Sequence, residues 1–469
     1  MDKTHSVFLI EEECEGCTNC VKNCPTKAIR VHQGRASIKE DYCIDCAACI
    51  RNCEYHAKEA VTTDLVEALA GENNIALIPP SFYAQLPPDY TLDKLKQKLI
   101  SLGFAGAVNV SIGATIYSAW LKNALKNKKS DSPLISSACP VVVRYIRLLY
   151  PELLDLVAKY DSPLEIAVKT VSDELKDRFV DQNFNFYFIT PCPAKHTAVY
   201  YPPGKESSSL SGAVAVDDIY NPILKAEPAE KNSEVQDYLN DIEKNFPFIT
   251  ALAWGRSGGE EENLGKESSS KIIKVDGLER IELVLDDLEN DNLSGIDYLE
   301  MTACPGGCLG GVLNIINPFQ GMVNLEKAIS QEEQEVELKG AEEKATAANA
   351  IGSFEQPEIM PDQEKAGSFE TALARWQALE AEKEELPGLD CAACGAPDCV
   401  TLAEDIVDGY AERTDCIFML RQEVEMLARR MSELVGTLPP AMGRGKQGEI
   451  DQDNKVNVGQ EERKDTDAK

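Results

Sequence analysis

Histidine, long apolar runs and basic residues are all scarce in this sequence. There are four histidines in 469 residues, and none lies within a group of cysteines. No apolar run reaches about 18 residues, so no membrane span is predicted. The first apolar stretch, VFLI, is followed directly by three glutamates, so we expect no signal peptide. Basic residues number 47 against 79 acidic ones, which argues against nucleic acid or an anionic membrane as a partner. We therefore expect a cytoplasmic protein.

Cysteine is abundant, with 16 residues in the chain. A secreted disulfide scaffold is not expected, because the sequence has no export signal. In a reducing cytosol, clustered cysteines more often bind metal. Because histidine is missing from the clusters, thiolate-only sites are expected, which means iron–sulfur clusters or zinc.

Residues 14–25 and 43–53 carry the same cysteine pattern, 29 residues apart. The first run reads C-EG-C-TN-C-VKN-C-P, the spacing of bacterial ferredoxins, in which the fourth cysteine of each run ligates the other cluster. The second run differs at Glu54, where the first has Pro25. We predict one 4Fe–4S cluster held by Cys14, Cys17, Cys20 and Cys53, and a second held by Cys43, Cys46, Cys49 and Cys24. A pair of zinc knuckles is the alternative. The segments SVFLIEEE and RASIKEDY are predicted to form the short flanking strands.

A third cysteine group lies near the C-terminus, in GLD-C-AA-C-GAPD-C followed by a helix-like stretch, TLAEDIVDGYA. Four thiolates without histidine favour another 4Fe–4S cluster, with structural zinc as the alternative. The predicted ligands are Cys391, Cys394, Cys399 and Cys416. The stretch resembles the small single-cluster domain found in electron-transport and acetyl-CoA-pathway proteins.

Four cysteines remain, each in a distinctive local sequence: Cys139 in SSACP, Cys192 in ITPCPAKH, and Cys304 and Cys308 in EMTACPGGCLGG. A cysteine before proline at a strand end or helix start can direct its thiolate at an electropositive helix N-terminus. The glycines permit close backbone approach to something bulky. We predict that the four form one more thiolate cage; the alternative is four unrelated buried cysteines.

These three motifs resemble the signature segments of iron–iron hydrogenases, which usually read TSCCP, MPC-x2-K and MAC-x-GGC. IALIPPSFYAQL (75–86), SGAVAVDDI and ITALAWGRSGGEEENL resemble further segments of the family. The resemblance covers roughly residues 1–325. It implies an H-cluster, a 4Fe–4S cube attached to a two-iron subcluster with carbon monoxide and cyanide ligands. The cube would be held by Cys139, Cys192, Cys304 and Cys308. Cys308 would also bridge to the diiron unit, Lys195 would hydrogen-bond one cyanide, and Ser81 would donate to the other.

The sequence departs from the family's catalytic members at several positions. Ala138 replaces the cysteine that serves as the final proton donor and acceptor. The other differences are Ala119 and Lys122 at positions aligned with acidic residues of the proton path, Ala198 in place of a glutamate, and Thr190 and Thr302 in place of methionines. Loss of one positioned acid–base group costs about 10²–10⁴-fold in rate, so slow turnover is predicted. The pattern resembles the subgroup proposed to sense hydrogen, with two N-terminal clusters and a C-terminal one.

The expected fold class is α/β, with an α+β ferredoxin-like N-terminal domain and a small α-rich C-terminal one. The predicted segments are a two-cluster domain (1–65), an H-cluster domain (66–325), a charged helix and linker (326–385), a single-cluster domain (386–416), an amphipathic helix (417–438) and a disordered tail (439–469). Residues 369–386 are predicted to form an amphipathic helix. In the helix after Cys416, apolar residues recur at 3,4 spacing. That helix either packs on its own domain or serves as a dimerisation or docking helix.

Three functions stay open at this point. The first is a slow, hydrogen-sensing iron–iron hydrogenase. The second is a fully active ferredoxin-dependent hydrogenase with a different proton path. The third is a non-enzymatic iron–sulfur assembly or electron-transfer protein without the diiron unit. The expected partners are ferredoxin or another redox protein, hydrogenase maturation proteins, and either a signalling protein or a second copy at the C-terminal helix.

Overall fold

A computed structural model describes residues 5–87, 90–246, 251–264, 270–331 and 369–435. The chain divides into two compact units, Met1–Tyr410 and Ala411–Lys469. Among the described residues, no helix combines the length and apolarity that a membrane crossing requires.

The strands are short and belong to the first unit. They are β1 (Val7–Leu9), β2 (Ile29–His32), β3 (Arg35–Ile38), β4 (Lys58–Ala60), β5 (Asn74–Ile78), β6 (Gly106–Asn109), β7 (Leu134–Ile135), β8 (Asn185–Thr190), β9 (Gly212–Ala215), β10 (Ile272–Asp276) and β11 (Tyr298–Thr302).

The helices cover more of the described chain than the strands do. They are α1 (Asn19–Lys22), α2 (Ala48–Arg51), α3 (Leu65–Leu69), α4 (Pro80–Tyr83), α5 (Leu92–Leu102), α6 (Ser111–Lys126), α7 (Pro140–Leu149), α8 (Pro163–Arg178), α9 (Pro193–Tyr200), α10 (Val216–Lys225), α11 (Glu234–Glu243), α12 (Gly259–Leu264), α13 (Leu278–Glu289), α14 (Pro318–Gln331), α15 (Phe369–Glu385), α16 (Cys399–Val407) and α17 (Ile417–Val435).

The two N-terminal cysteine runs fold as a structural repeat. Strands β1 and β4 pair antiparallel, as do β2 and β3, so the predicted flanking strands are present. Left-handed backbone recurs at pairs of positions 29 residues apart: Gly16 and Asp45, Thr18 and Ala47, and Lys27 and His56. Because non-glycine residues rarely adopt positive φ, this match shows that both loops follow the same path.

The central part of the first unit contains two parallel sheets, ordered β6-β5-β8-β9 and β10-β11-β7. Side chains of β5 alternate between two cores, as the period of two in a strand requires. Ile75 and Leu77 pack with residues of α6, α8 and α11. Ala76 and Ile78 pack with residues of α5 and α10. Helices therefore cover both faces of the larger sheet, which confirms the predicted α/β class.

The smaller parallel sheet has its own core. Leu299 and Met301 of β11 and Val275 of β10 pack against apolar residues of α7 and α13, including Val142 and Leu285. This second core holds α7, and the residue before α7 is Cys139. The packing therefore determines where one of the cage cysteines lies.

The segment before the third cysteine group forms helix α15, as predicted, but it is not amphipathic in the expected sense. None of its side chains is buried, and Trp376 is 58% exposed. Helix α16 ends at Val407, earlier than the predicted stretch, because Gly409 adopts a φ of +77° just beyond it. Of the predicted linker, residues 326–331 belong to α14; residues 332–368 lie outside the described residues.

The second unit contains the predicted C-terminal helix, observed as α17. Its apolar seam is exposed: Leu420 is 44% accessible, Val424 56%, Leu427 53% and Met431 67%. Within the described part of the second unit, no residue covers this seam, and the choice between the two roles predicted for the helix stays open. Residues 436–469, including the predicted tail, lie outside the described residues.

Candidate metal centres

The four remaining cysteines lie just beyond the carboxyl ends of parallel strands. Strand β7 ends at Ile135 and leads to Cys139, the N-cap of α7, where Pro140 occupies the first helical position. Strand β8 ends at Thr190 and leads to Cys192, the N-cap of α9, again before a proline. Cys304 and Cys308 follow β11. Ligand sites in α/β folds occur at this edge of a sheet.

The structure places all four cysteines around one cavity of about 160 Å³. A cavity of ~150 Å³ can hold a ligand as large as benzene, so this one has room for a small polyatomic group. Predicted residues on its wall are Ser81, Ala138, Cys139, Cys192, Lys195, Ala198, Thr302, Cys304 and Cys308. Four distant segments of the sequence, the one around Ser81 and the three cysteine motifs, therefore meet at one site.

Burial in this cavity disfavours the charged thiolate form of a cysteine unless a cation lies beside it. Burial raises the pKa of Cys192 to about 12 and that of Cys304 to about 11. Burial also raises the pKa of Cys139. Deprotonated thiols in this cavity therefore need positive charge nearby, which iron ions would supply.

Lys195 provides one positive charge within the protein itself. Its Nζ lies 3.2 Å from Cys308 Sγ and 5.7 Å from the centre of the Phe188 ring. Burial opposes the charged ammonium, but neighbouring Cys308 and Cys192 outweigh it and raise the pKa of Lys195. The ammonium is thus held charged beside the cysteine that the family resemblance places at the diiron unit.

Several polar atoms on the cavity wall are buried without a hydrogen-bond partner among the described residues. They are Ser81 Oγ, Thr302 Oγ1 and Trp254 Nε1. An unsatisfied buried polar group costs free energy, so each such atom needs a partner. Hydroxyl and indole donors suit a bound group that carries hydrogen-bond acceptors. Thiols, an ammonium and these donors together fit an iron–sulfur group with anionic ligands.

The departures from the family occupy different places around the cavity. Ala138 and Ala198 present methyl groups on its wall. Thr190 Oγ1 donates to the carbonyl of Cys192 at 2.8 Å and accepts from its amide at 3.2 Å, so this hydroxyl shapes the ligand loop. Ala119 and Lys122 lie on α6 and are not among the cavity-lining residues.

The glycines of the third motif serve backbone packing within the protein. At Gly307, with φ of +76°, an added Cβ would lie 2.6 Å from the amide nitrogen of Ser257. At Gly311 it would lie 2.3 Å from the carbonyl oxygen of Pro191. From the sequence we expect these glycines to accommodate something bulky; in the structure they let neighbouring backbone segments approach the third motif closely.

The structure brings together the four cysteines predicted for the first N-terminal site, while the assignment of both clusters stays a prediction. A small cavity is lined by Cys14, Cys17, Cys20 and Cys53, the four residues predicted for the first cluster. The amides of Ala28 and Ala57 each donate to a fourth cysteine, Cys24 and Cys53, at 3.2 Å. Lys58 lines the first site, and its Nζ is buried without a hydrogen-bond partner among the described residues. The four residues predicted for the second cluster, Cys43, Cys46, Cys49 and Cys24, lie in the same N-terminal segment, and Cys46 also lines the central cavity.

The third cysteine group is divided between the two units. Cys391, Cys394 and Cys399 belong to the first unit, and Cys399 begins α16. Cys416 belongs to the second unit, where it precedes α17 and is buried. That these four share one cluster stays a prediction.

A buried hydrogen-bond network around Asp45 was not predicted. This carboxylate lies in the second cysteine loop and accepts from the Ser6 amide at 3.1 Å, Thr197 Oγ1 at 2.9 Å and Arg144 Nη1 at 3.2 Å. Its Oδ2 also lies 3.2 Å from His5 Nδ1. Thr197 is on α9, two residues beyond Lys195, so the network ties the second cluster loop to the helix that carries Lys195. A lone aspartate between cysteines gives no sequence signal of this role.

A second unpredicted feature is a pair of buried glutamates on the cavity wall, Glu260 and Glu300. Burial and their mutual repulsion raise the pKa of Glu260, and burial raises that of Glu300. Glu260 accepts a hydrogen bond from Tyr298 OH. The Tyr298 hydroxyl lies 3.4 Å from the Tyr117 hydroxyl, and the Tyr117 hydroxyl lies 3.5 Å from Ser137 Oγ. In the sequence, Glu260 belongs to an acidic run that is indistinguishable from a solvated surface.

The fold and the sites together define an iron–sulfur protein: an α/β domain with a cysteine-lined cavity, preceded by a two-cluster segment. Three family models agree. Residues 72–213 and 240–312 match the iron only hydrogenase large subunit, C-terminal domain. Residues 6–54 match a 4Fe-4S dicluster domain, and residues 386–418 match an Fe-S cluster family. The chain carries the C-terminal domain of the iron-only hydrogenase large subunit between two iron–sulfur segments, which confirms the family resemblance.

Two curated relatives align with about two thirds of the chain. The periplasmic Fe hydrogenase large subunit of Nitratidesulfovibrio vulgaris is 27% identical over 368 residues, covering 66% of this chain and 86% of the relative. A protein named probable cytosolic Fe-S cluster assembly factor oxy-4, from Caenorhabditis elegans, is 21% identical over 367 residues, covering 66% and 72%. A solved FeFe-hydrogenase variant from Chlamydomonas reinhardtii aligns with a TM-score of 0.43 and 14% identity, over 55% of this chain and 87% of that one.

Proposed function

We propose that this protein interconverts hydrogen with protons and electrons at an H-cluster in the central cavity, with slow turnover and a role in hydrogen sensing. The observation that carries the proposal is the convergence on one cavity of four cysteines, Lys195 and unpartnered donors. The hydrogenase domain match supports the same reaction class.

In this proposal Cys139, Cys192, Cys304 and Cys308 hold the cubane part of the H-cluster. Cys308 would hold the diiron part as well. When bound, the group supplies the site at which hydrogen is formed or split. Lys195 and Ser81 would donate hydrogen bonds to its anionic ligands, and Thr302 and Trp254 are two further donors on the same wall. Charge-assisted hydrogen bonds of this kind both orient a ligand and stabilise its negative charge.

Slow turnover follows from Ala138. Its methyl group lies on the cavity wall, beside Cys139, and it cannot accept or donate a proton. A positioned acid–base group contributes about 10²–10⁴-fold to a rate, so its absence leaves a cavity that binds the group but moves protons slowly. A protein that turns hydrogen over slowly is better suited to reporting hydrogen than to consuming it.

A fully active hydrogenase with a different proton path is the second candidate. The chain from Glu260 through Tyr298 and Tyr117 to Ser137 favours it, since Ser137 adjoins Ala138 and also lines the cavity. Two of the three steps are long, at 3.4 and 3.5 Å, which argues for slow relay through this route.

An iron–sulfur assembly role without the diiron unit is the third candidate, and its support is the Caenorhabditis elegans relative. Such a protein has no need for an ammonium beside Cys308 or for unpartnered donors on the cavity wall. The presence of both favours the hydrogenase proposal.

The proposed partners are a ferredoxin-type redox protein and the hydrogenase maturation proteins, with a signalling protein or a second copy at α17. We propose the cytoplasm as the compartment, because all sixteen cysteines are free of disulfides and suit a reducing environment. The two relatives carry different compartment names, periplasmic and cytosolic.

The test is hydrogen evolution by the full chain, produced together with hydrogenase maturation proteins and supplied with reduced ferredoxin. A slow rate above that of the Cys308→Ser variant is expected. A rate comparable with ordinary hydrogenases would favour the second candidate. A rate equal to that of the variant would favour the third.

A further inference from the structure

The C-terminal iron–sulfur segment lies directly on the first N-terminal cluster site. Ala392, between Cys391 and Cys394, is 2% exposed and packs in the same apolar cluster as Cys14 and Cys20. All of these residues belong to the first unit. Two iron–sulfur segments that are far apart in the sequence therefore share one core.

The contact is specified by the backbone. The Val31 amide, in β2, donates to the carbonyl of Gly395 at 2.9 Å. Gly395 has a φ of +88°, and an added Cβ would lie 1.9 Å from the carbonyl oxygen of Val31. Only glycine permits this approach. Gly395, which lies between the predicted ligands Cys394 and Cys399, therefore allows the C-terminal segment to pack against the N-terminal one.

Charge specifies the contact as well. Asp405 of α16 is 2% exposed and accepts from Arg30, which is 5% exposed, and from Lys39 Nζ at 2.6 Å. A further pair joins Lys27 Nζ and Asp398 at 2.8 Å. Buried charges persist only when well paired, so the Asp405 site fixes one relative position of the two segments.

The contacts continue inward to the cavity. Cys20 and Cys49, predicted ligands of different clusters, pack in the same apolar cluster. Cys46 lines the central cavity together with Cys304. Arg51 Nη2 donates to the carbonyl of Gly310 at 3.0 Å, which binds the second cysteine loop to the third motif. Electron transfer rates fall steeply with distance, so such a series of adjoining sites suits a relay.

We propose that the C-terminal iron–sulfur segment is the outermost relay of this protein and exchanges electrons directly with the first N-terminal cluster. One electron leaves the C-terminal cluster, which is oxidised, and enters the first N-terminal cluster, which is reduced; no bond forms or breaks. A reduced ferredoxin-type protein supplies the electron. The proposal requires clusters in both segments, but it does not depend on hydrogen chemistry in the cavity.

The experiment is electron paramagnetic resonance of the fully reduced full chain, with iron and zinc measured on the same samples. We expect spin–spin interaction with the first N-terminal cluster to split or broaden the signal of the C-terminal cluster. The spectrum of the parent protein should therefore differ from the sum of two spectra: that of the Cys394→Ala variant and that of an isolated 4Fe–4S cluster. The variant Asp405→Lys places a third cation beside Arg30 and Lys39 and should remove the interaction while the iron content is kept. Asp173→Lys, at an exposed position of α8, is the matched control and should leave it unchanged.

Lys27→Glu gives a second test if Asp405→Lys does not yield folded protein. Lys27 has a 55% exposed side chain, so this reversal perturbs folding little, and a weakened interaction is expected. Three results would overturn the proposal: a spectrum that is a simple sum, zinc or no metal in the C-terminal segment, or an unchanged interaction in Asp405→Lys or, in its place, Lys27→Glu.

Discussion

The N-terminal cysteine segment and the central cavity both present cysteine sulfur atoms, but the two regions bring their cysteines together in different ways. In the N-terminal segment, all eight cysteines lie between Cys14 and Cys53, in two loops whose left-handed residues recur 29 positions apart. In the cavity, the cysteines come from three loops at the ends of three strands, and two parallel sheets must fold before they meet. Local spacing defines the first kind of site, and tertiary structure defines the second.

The difference extends to the surroundings. The N-terminal sites satisfy their sulfurs with nearby backbone amides, such as those of Ala28 and Ala57. The cavity instead presents side-chain donors from distant segments, and Ser81, Thr302 and Trp254 lack a partner among the described residues. The first N-terminal site has one such donor in the described part of the chain, Lys58 Nζ, so the two regions differ in the number of unpartnered donors and in how far apart their segments lie in the sequence.

The largest expected effect on cluster content and turnover comes from removing one predicted cysteine ligand in each of the two regions. Cys308→Ser should abolish hydrogen turnover while the N-terminal clusters remain, because their ligands come from another segment. Cys20→Ser should remove the first N-terminal cluster and leave the group in the cavity in place. Iron content, paramagnetic resonance and hydrogen evolution measured together on both variants check this. Loss of the N-terminal signals in Cys308→Ser would mean that the two regions do not assemble independently.

Ala138→Cys should raise turnover, by up to about 10²–10⁴-fold, because it adds a proton-carrying group on the cavity wall beside Cys139. Hydrogen evolution at saturating reductant is the measurement. Ala138→Ser, similar in size but a poor acid, is the control and should have little effect. If both variants match the parent, proton transfer at this position does not limit the rate.

Lys195→Met should lower hydrogen turnover by roughly ten- to a hundredfold, because a hydrogen bond from a charged group contributes about 1.5–3 kcal/mol. The variant keeps the length of the side chain but removes the ammonium beside Cys308. Lys169→Met, at an exposed position on α8, is the control and should behave like the parent. Full turnover in Lys195→Met would remove this lysine from the proposed site.

Glu260→Gln sharpens the choice between slow and fast hydrogenase. We expect less than a tenfold decrease in turnover, because a true acid–base residue would account for about 10²–10⁴-fold. Glutamine keeps one carbonyl acceptor for Ser136 or Tyr298 and presents its amide to the other hydroxyl, which can accept, so the fold should persist. A loss of a hundredfold or more would show that the chain through Tyr298 is the working proton path.

The smallest expected effect on chemistry is at the exposed seam of α17. The double variant Leu420→Glu, Leu427→Glu should leave hydrogen turnover unchanged, since both side chains are exposed in the second unit. It should shift the molar mass measured by light scattering if the helix pairs with a second copy. An unchanged mass would favour a different partner at this helix.

The sequence was most informative where chemistry is local. The ferredoxin-type spacing, the strand-then-cysteine-proline motifs and the α/β pattern can be read from neighbouring residues, because turns and ligand loops impose them directly. Asp45, Glu260 and Trp254 could not be recognised in that way. Their importance comes from burial and from partners more than 30 positions away, as with Asp45 and Thr197. The glycines of the third motif stand out in the sequence, but their backbone neighbours, Ser257 and Pro191, are distant in the chain and appear only in the folded structure.

Infrared spectroscopy of the full chain, produced with hydrogenase maturation proteins, tests the central claim most directly. The claim is that the cavity lined by Cys139, Cys192, Cys304 and Cys308 holds a cluster with a diiron part. We predict stretching bands of bound carbon monoxide and cyanide, present in the parent and absent in Cys308→Ser. A parent protein with a full complement of cubane iron and no such bands would contradict the account.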